Sequence, residues 1–314
     1  MKALPLLLSI CVVAAVLGQP AEERRRYEDG MRHLQLAAGS AEQNHDAEAL
    51  HHLEQAEKLL LPSAQLYEML GEAYLKTGDS RSVQFLRKAV ELNPTDSGWE
   101  NLSHALAANR QFEEAVRLFS QQVASQPQNS FFHLLLGEAY WNTAGYRRAL
   151  AHFQQAAILN PNSARAHFGV GYSQQLLGNL PAATKSLQAT LQIEPGHLLA
   201  NLAMGHVLLA AGRSEEAVQF LRNYADKTPQ NVDVRLTLAQ IHIDRGQLSD
   251  ALAELLHAQQ LNPEEKRVHY LLGRLYTASG RLDLAAGQFA RFSSLEAEEM
   301  QQKRLVRNVP YLKK

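Results

Sequence analysis

A fixed interval between prolines constrains the fold of this chain more than any other feature of its sequence. Five prolines follow one another at intervals of 34 residues: Pro127, Pro161, Pro195, Pro229 and Pro263. Each comes after a stretch with apolar residues at helical spacing, and proline ends a helix because it lacks an N–H and clashes with the preceding turn. A fixed period of this length predicts similar helical units stacked along the chain.

Residues between the prolines recur in the same register. In the unit that begins at Ser130, positions 7, 8, 11, 20, 24, 27 and 32 carry Leu136, Gly137, Tyr140, Ala149, Phe153, Ala156 and Pro161. The next unit has Val170, Gly171, Ala183, Leu187 and Pro195 at matching positions, and the last has Leu272, Gly273, Tyr276, Ala285 and Phe289. Small residues at positions 8 and 20 let two antiparallel helices approach where they cross. Large apolar residues at positions 7, 11 and 24 fill the space around that crossing.

This pattern resembles the tetratricopeptide repeat family over residues 30–297, most of the chain. The resemblance implies an all-α, right-handed superhelical solenoid of antiparallel helix pairs, a fold that binds other proteins. The register predicts units that begin near Ala64, Asp96, Ser130, Ala164, Leu198, Val232 and Lys266. A degenerate unit over about 30–61 precedes them and makes about eight repeats in all.

The two ends of the chain differ from the repeats. Lys2, an apolar stretch of 14 residues over 4–17 and a cleavage site with Val16 at −3 and Gly18 at −1 predict a signal peptide over residues 1–18 that is cleaved before Gln19. The stretch is shorter than the roughly 20 residues that span a bilayer, so we expect no stable membrane span. An uncleaved anchor is the alternative. We therefore expect a periplasmic or secreted protein with a solenoid over 19–297 and a capping helix and tail over 298–314.

Composition and motifs argue against catalysis and cofactor binding. The net charge is −1, which gives no basic surplus for a nucleic-acid backbone. Cys11 is the only cysteine, and it lies in the apolar N-terminal stretch, so the cleaved chain has neither a disulfide nor a thiolate nucleophile. The motifs of nucleotide-binding loops, zinc proteases and serine hydrolases are absent from the sequence. The sequence predicts no catalytic residues, no metal site and no cofactor.

Thirteen histidines raise the question of a metal site. Four of them stand at position 4 of their repeats and are interpreted as packing residues: His33, His133, His167 and His269. The densest cluster joins His45 to His51 and His52, but no third ligand stands at a spacing that a metal site needs. Packing is therefore the preferred interpretation.

The family resemblance implies that positions 2, 5, 9, 12 and 13 of each first helix face a concave groove. We call these the groove positions. The candidate partner-binding residues at them are Phe131, Leu134, Glu138, Trp141, Arg165, Phe168, Tyr172, Leu199, Leu202, His206, Arg267 and Arg274. Acidic residues in early units (Glu68, Glu72 and Glu100) and the two late arginines are expected to orient a bound segment by charge. The alternative is that some of the apolar residues bury against the next helix.

The predicted function is a non-catalytic scaffold or adaptor that binds peptide segments of partner proteins in this groove. An accessory subunit of an exported enzyme, or of a polysaccharide-processing or secretion complex, is the second candidate. A hydrolase or transferase acting by itself is a distant third, because no catalytic motif supports it.

Overall fold

The computed structural model describes residues 21–307, without the side chains of residue 302 and residues 304–307. Within that range the chain forms sixteen helices and no strand, which confirms the all-α repeat solenoid. The helices are α1 (Ala21–Glu42), α2 (Asp46–Leu59), α3 (Ala64–Lys76), α4 (Arg81–Leu92), α5 (Asp96–Ala108), α6 (Phe112–Ser125), α7 (Ser130–Asn142), α8 (Tyr146–Leu159), α9 (Ala164–Leu176), α10 (Leu180–Ile193), α11 (Leu198–Ala210), α12 (Ser214–Lys227), α13 (Val232–Asp244), α14 (Leu248–Leu261), α15 (Lys266–Ala278) and α16 (Leu282–Arg307).

Consecutive helices pack as pairs, from α1 with α2 to α15 with α16. The chain divides after Pro161 into two compact units, which we call the first unit (α1–α8) and the second unit (α9–α16). Successive first helices contact each other from α1 to α7 in the first unit, and in the second unit α9 contacts α11 and α13 contacts α15. Among the described residues, the second helices of successive pairs make no such contact. The first helices therefore line the inner side of each unit.

The predicted register is confirmed at all seven full repeats, because their first helices begin at the predicted residues. At the start of the chain, α1 begins at Ala21, earlier than the predicted degenerate repeat. At the other end, α16 runs through residue 298 without a break, so the second helix of the last repeat and the predicted capping helix are one element. Residues 308–314 and the predicted signal peptide, residues 1–18, lie outside the described range.

Polar caps explain where several first helices begin. Ser63 Oγ accepts a hydrogen bond from the amide of Leu66 at 3.1 Å, and Ser163 Oγ accepts one from Ala166 at the same distance. Asn231 plays this role ahead of α13. Each cap satisfies one amide that has no partner inside its helix, and so fixes the first residue of the helix.

The turn inside each helix pair needs a left-handed residue at position 15 of the repeat. Five repeats place a glycine there, with φ between 70° and 79°. Two others place Arg110 (φ 56°) and Ala144 (φ 55°) in the same conformation, and Asn44 (φ 60°) does so in the first pair. Side chains with a Cβ adopt this region at a cost in free energy, so these repeats hold the turn against local strain.

Candidate functional site

The inner surface of the first unit ends on α7, where Phe131, Glu138 and Trp141 are half-buried. The Trp141 ring lies 4.5 Å, centroid to centroid, from the fully buried ring of Phe153 on α8. This contact fixes the indole against the core and leaves part of it accessible on the inner surface.

Acidic residues of the first unit are held by the neighbouring repeat. Asn101 Nδ2 donates to Glu72 Oε1 at 2.7 Å, and Ser97 Oγ donates to Glu68 Oε1 at 3.3 Å. Burial, followed by the nearby charge of Glu68, raises the pKa of the Glu72 carboxyl, and the Asn101 hydrogen bond opposes that rise. The acidic groove positions are thus partly desolvated side chains that bridge the first helices α3 and α5.

The inner surface of the second unit is apolar on α9 and α11. Leu199 is 52% exposed, Leu176 is 41% exposed, and Tyr172 and Leu202 are half-buried. His206 is exposed on α11, although partial desolvation lowers the pKa of its imidazole. A lowered pKa favours the neutral ring, so His206 extends the apolar character of this surface at neutral pH.

Two predicted partner-binding residues are buried instead. Leu134 is 6% exposed and Phe168 is 9% exposed. The Phe168 ring stacks on Tyr172 at 5.7 Å and lies 4.9 Å from the His197 ring. The residues at position 5 of these two repeats therefore lie beneath the inner surface. This agrees with the alternative interpretation, in which some of the apolar residues are buried. Neither side chain offers appreciable area to a partner.

The late arginines are not free cations, which corrects the expectation of a basic end to the groove. Arg267 Nη1 donates to Asp233 Oδ1 at 2.7 Å, and Arg274 Nη2 donates to Asp244 Oδ1 at 3.0 Å. Arg274 Nη1 also donates to Gln240 Oε1 at 2.7 Å. One repeat period of 34 residues separates Arg267 from Asp233 and Arg274 from Gln240. The sequence could therefore have predicted that these side chains pair between successive repeats. The arginine charges are balanced within the second unit.

The side chains at position 4 form hydrogen bonds as well as packing contacts. The sequence predicted only the packing. His133 Nε2 donates to the carbonyl of Pro127 at 3.0 Å, and His269 Nε2 donates to that of Pro263 at 2.9 Å. Arg235 Nε donates in the same way to Pro229 at 3.2 Å. This position therefore ties a first helix to the proline that ends the preceding repeat. The burial of His133 and His269 agrees with the packing interpretation.

Arg165, another predicted partner-binding residue, is half-buried on α9.

Within residues 21–307, the His, Cys, Asp and Glu side chains form no group of three or more that would hold a metal ion. In the same range, no helix combines the length and the apolar character needed to cross a membrane.

Comparison with known proteins identifies the repeats. Three tetratricopeptide repeat models match the chain: one over residues 64–96, one over 101–145 and 134–197, and one over 176–230 and 208–275. The chain belongs to the tetratricopeptide repeat family. No curated protein matches the sequence.

Solved structures show the same fold. YrrB, described as a tetratricopeptide repeat protein with an unusual peptide-binding site, aligns with a TM-score of 0.56 and 16% identity over 62% of this chain and all of its own. PilF of Pseudomonas aeruginosa aligns with a TM-score of 0.56 and 19% identity, over 66% and 95% of the two chains. MamA of Desulfovibrio magneticus RS-1 aligns at 0.50 and 21%, over 54% and 96%. At these identities the likeness establishes the fold alone.

Proposed function

We propose that this protein is a non-catalytic adaptor that binds segments of partner proteins on the inner surfaces formed by its first helices. Tetratricopeptide repeat folds generally mediate protein–protein interactions. Beyond this general role, we propose where the partner binds and that the protein catalyses no reaction.

The observation that carries the proposal is the exposure of Leu199. A leucine on the inner side of the second unit would gain free energy by burial, yet 52% of it faces solvent. It shares α11 with Leu202 and His206, and the neighbouring helix α9 adds Tyr172 and Leu176. Contiguous exposed apolar area of this kind usually marks an interaction surface.

Further support comes from a structural neighbour. YrrB shares the fold and is described as having a peptide-binding site. In the present chain the surface is rich in aromatic and aliphatic side chains, and Arg267 and Arg274 are already paired with Asp233 and Asp244. An apolar partner segment therefore fits this surface better than a strongly charged one.

Partner capture by variants tests the proposal. A Tyr172→Ala, Leu199→Ala variant removes apolar area from the inner surface of the second unit. Truncation of such anchors costs about 2 kcal/mol or more when they act as hot spots, so capture should fall by more than tenfold. Leu256→Ala is the matched control, because Leu256 is also an exposed leucine of the second unit (44%) but lies on a second helix, α14.

Helicity by circular dichroism must be equal in all variants. Equal capture by the double variant and the control would show that binding lies elsewhere. In that case Trp141→Ala, with Ile158→Ala as its control, asks the same question of the first unit. The identity of the captured chain distinguishes a general peptide adaptor from an accessory subunit of an exported enzyme or of a polysaccharide-processing or secretion complex.

Export forms a separate part of the proposal. The support is the sequence of residues 1–18, with its charged start, apolar stretch and Val16-Leu17-Gly18 ending. The expected mature N-terminus is Gln19, in the periplasm or the medium. Mass analysis of the protein purified from its native source checks it, and recovery of an intact Met1 terminus outside the cytoplasm would contradict it.

A further inference from the structure

In two helix pairs of the first unit, a histidine on one helix lies within hydrogen-bond distance of a histidine on the other. His133 on α7 and His152 on α8 bring their Nδ1 atoms within 3.2 Å, and His33 on α1 and His52 on α2 bring theirs within 3.0 Å. In both cases the partners stand at positions 4 and 23 of the repeat. His133 is 7% exposed, so its pair is largely shielded from water.

The hydrogen bonds of the His133–His152 pair define where its protons lie. His133 Nε2 faces the carbonyl of Pro127, which only accepts, so Nε2 carries the proton. In the neutral ring, His133 Nδ1 then accepts, and His152 Nδ1–H donates to it. A first added proton goes to His152 Nε2 and places a cation on that half-buried ring. A second one places N–H against N–H and breaks the bond between α7 and α8.

The surroundings do little to stabilise an added charge. The Tyr140 ring stacks on His152 at 5.6 Å, and the Arg148 guanidinium lies 5.6 Å from the Tyr140 ring centroid. Apart from His152, residues 149–164 contain no ionisable side chain, and neither do residues 118–130 of α6 and the following turn. The absence of acidic side chains from these segments leaves an added proton without a counter-charge next to it in the sequence.

Helices α7 and α8 form a hairpin, and α5 and α6 pack against it. These four helices carry further ionisable groups: Asp96, Glu100 and His104 on α5, Glu113, Glu114 and Arg117 on α6, Glu138 on α7, and Tyr146 and Arg147 on α8. Glu100, His104 and Glu138 stand at groove positions, and Glu114 is paired with Arg87. Burial first, and the charge of His133 second, lower the pKa of His152.

The same two positions are filled differently in the second unit. Arg235 Nη1 donates to Glu254 Oε2 at 2.9 Å, and His269 Nδ1 lies 2.8 Å from Gln288 Oε1. A glutamine amide can present its oxygen to a protonated imidazole or its NH₂ to a neutral one. Gln288 can therefore pair with His269 in either protonation state, whereas His152 cannot pair with His133 once both rings are protonated.

We propose that the His133–His152 pair makes the α7–α8 hairpin sensitive to acid, so that a fall in pH below neutral loosens the helix that carries Phe131 and Trp141. This inference rests on the hydrogen-bond geometry and does not depend on the proposed partner binding. It gives the first unit a pH-responsive element in a fold otherwise stabilised by apolar packing.

The direction follows from proton linkage. Burial and the neighbouring charge of His133 lower the pKa of His152 in the folded state below its ordinary value of 6.5. Since the unfolded state then binds more protons, stability is retained above about pH 6.5 and lost as the pH falls through the lowered pKa of His152. Thermal unfolding should therefore shift downward, by on the order of 2–4 °C, between about pH 7.5 and pH 5.5.

His152→Gln is the decisive variant, because it reproduces the His269–Gln288 pair of the second unit. The shift in Tm between the two pH values should be clearly smaller in this variant than in the wild type. His257→Gln is the control for loss of any histidine, since His257 lies in the second unit, which holds neither pair, and it should leave the shift unchanged. A shift in His152→Gln equal to that of the wild type would overturn the proposal.

Direct titration covers the case in which His152→Gln folds poorly. In the wild type, NMR of histidine side chains should show one imidazole of the His133–His152 pair titrating below pH 6.5. Amides in residues 130–159 should lose protection from hydrogen exchange at the lower pH, after correction for the slower chemical exchange in acid. Titration of both rings near 6.5 would contradict the proposal.

Discussion

Gly171 on α9 and Leu187 on α10 touch so closely that a Cβ on the glycine would lie 2.8 Å from the leucine Cγ and 3.1 Å from its backbone nitrogen. The same contact recurs between Gly273 and Phe289, where the Cβ would lie 2.6 Å from the ring. The crossing of the two helices in these repeats therefore requires the absence of a side chain at position 8.

Gly171→Ala should destabilise the protein by about 1–3 kcal/mol, because the new methyl group forces α9 and α10 apart. Urea unfolding followed by circular dichroism measures the change. Gly287→Ala is the matched control, since Gly287 also lies within a helix of the second unit but has no atom within 4 Å of the position of a Cβ. It should stabilise its helix by about 0.5–1 kcal/mol. Equal effects of the two changes would contradict the crossing geometry.

Ala144→Gly should stabilise the protein by about 1 kcal/mol, because Ala144 holds a left-handed conformation (φ 55°) that glycine adopts without strain. The comparison is with Ala151→Gly, which places glycine at an exposed site inside α8 and should cost about 0.5–1 kcal/mol. Thermal unfolding of both variants checks the prediction. Loss of stability in Ala144→Gly would show that the turn is not strained.

Glu72→Gln should raise Tm at pH 7, with a smaller gain at pH 4. Burial and the charge of Glu68 raise the pKa of Glu72, so the folded state holds a proton more readily than the unfolded state. Stability from this group is present below about pH 4.5 and lost as the pH rises through the raised pKa. The amide oxygen of glutamine still accepts from Asn101. Glu91→Gln, at an exposed site on α4, controls for removal of charge alone, and an equal response of the two variants would contradict the explanation.

The repeat architecture could be predicted from spacing alone. Prolines at intervals of 34 residues and small residues at position 8 placed the first helices at the correct residues, because each repeat is a local unit that contacts only its neighbours. The burial of His133 and His269 followed from the same register. The early start of α1 could not be predicted in this way, because residues 21–29 precede the first repeat and have no position in the recurring pattern.

Side-chain accessibility was harder to predict than the fold. Leu134, Phe168 and Leu202 share position 5, yet the first two are buried and the third is half-buried. Their exposure depends on the size of the neighbouring side chains, such as His197 beside Phe168. The pairing of Arg267 with Asp233 was readable from complementary charges one period apart. By contrast, no glycine marks the left-handed turns at Arg110 and Ala144.

Hydrogen–deuterium exchange with a captured partner segment shows whether the first helices form the binding surface. We expect binding to slow exchange in first helices, above all in residues 198–210 of α11 and residues 164–176 of α9. The second helices α10, α12 and α14 should change little. Protection concentrated on those second helices, with α9 and α11 unchanged, would show that the partner binds elsewhere.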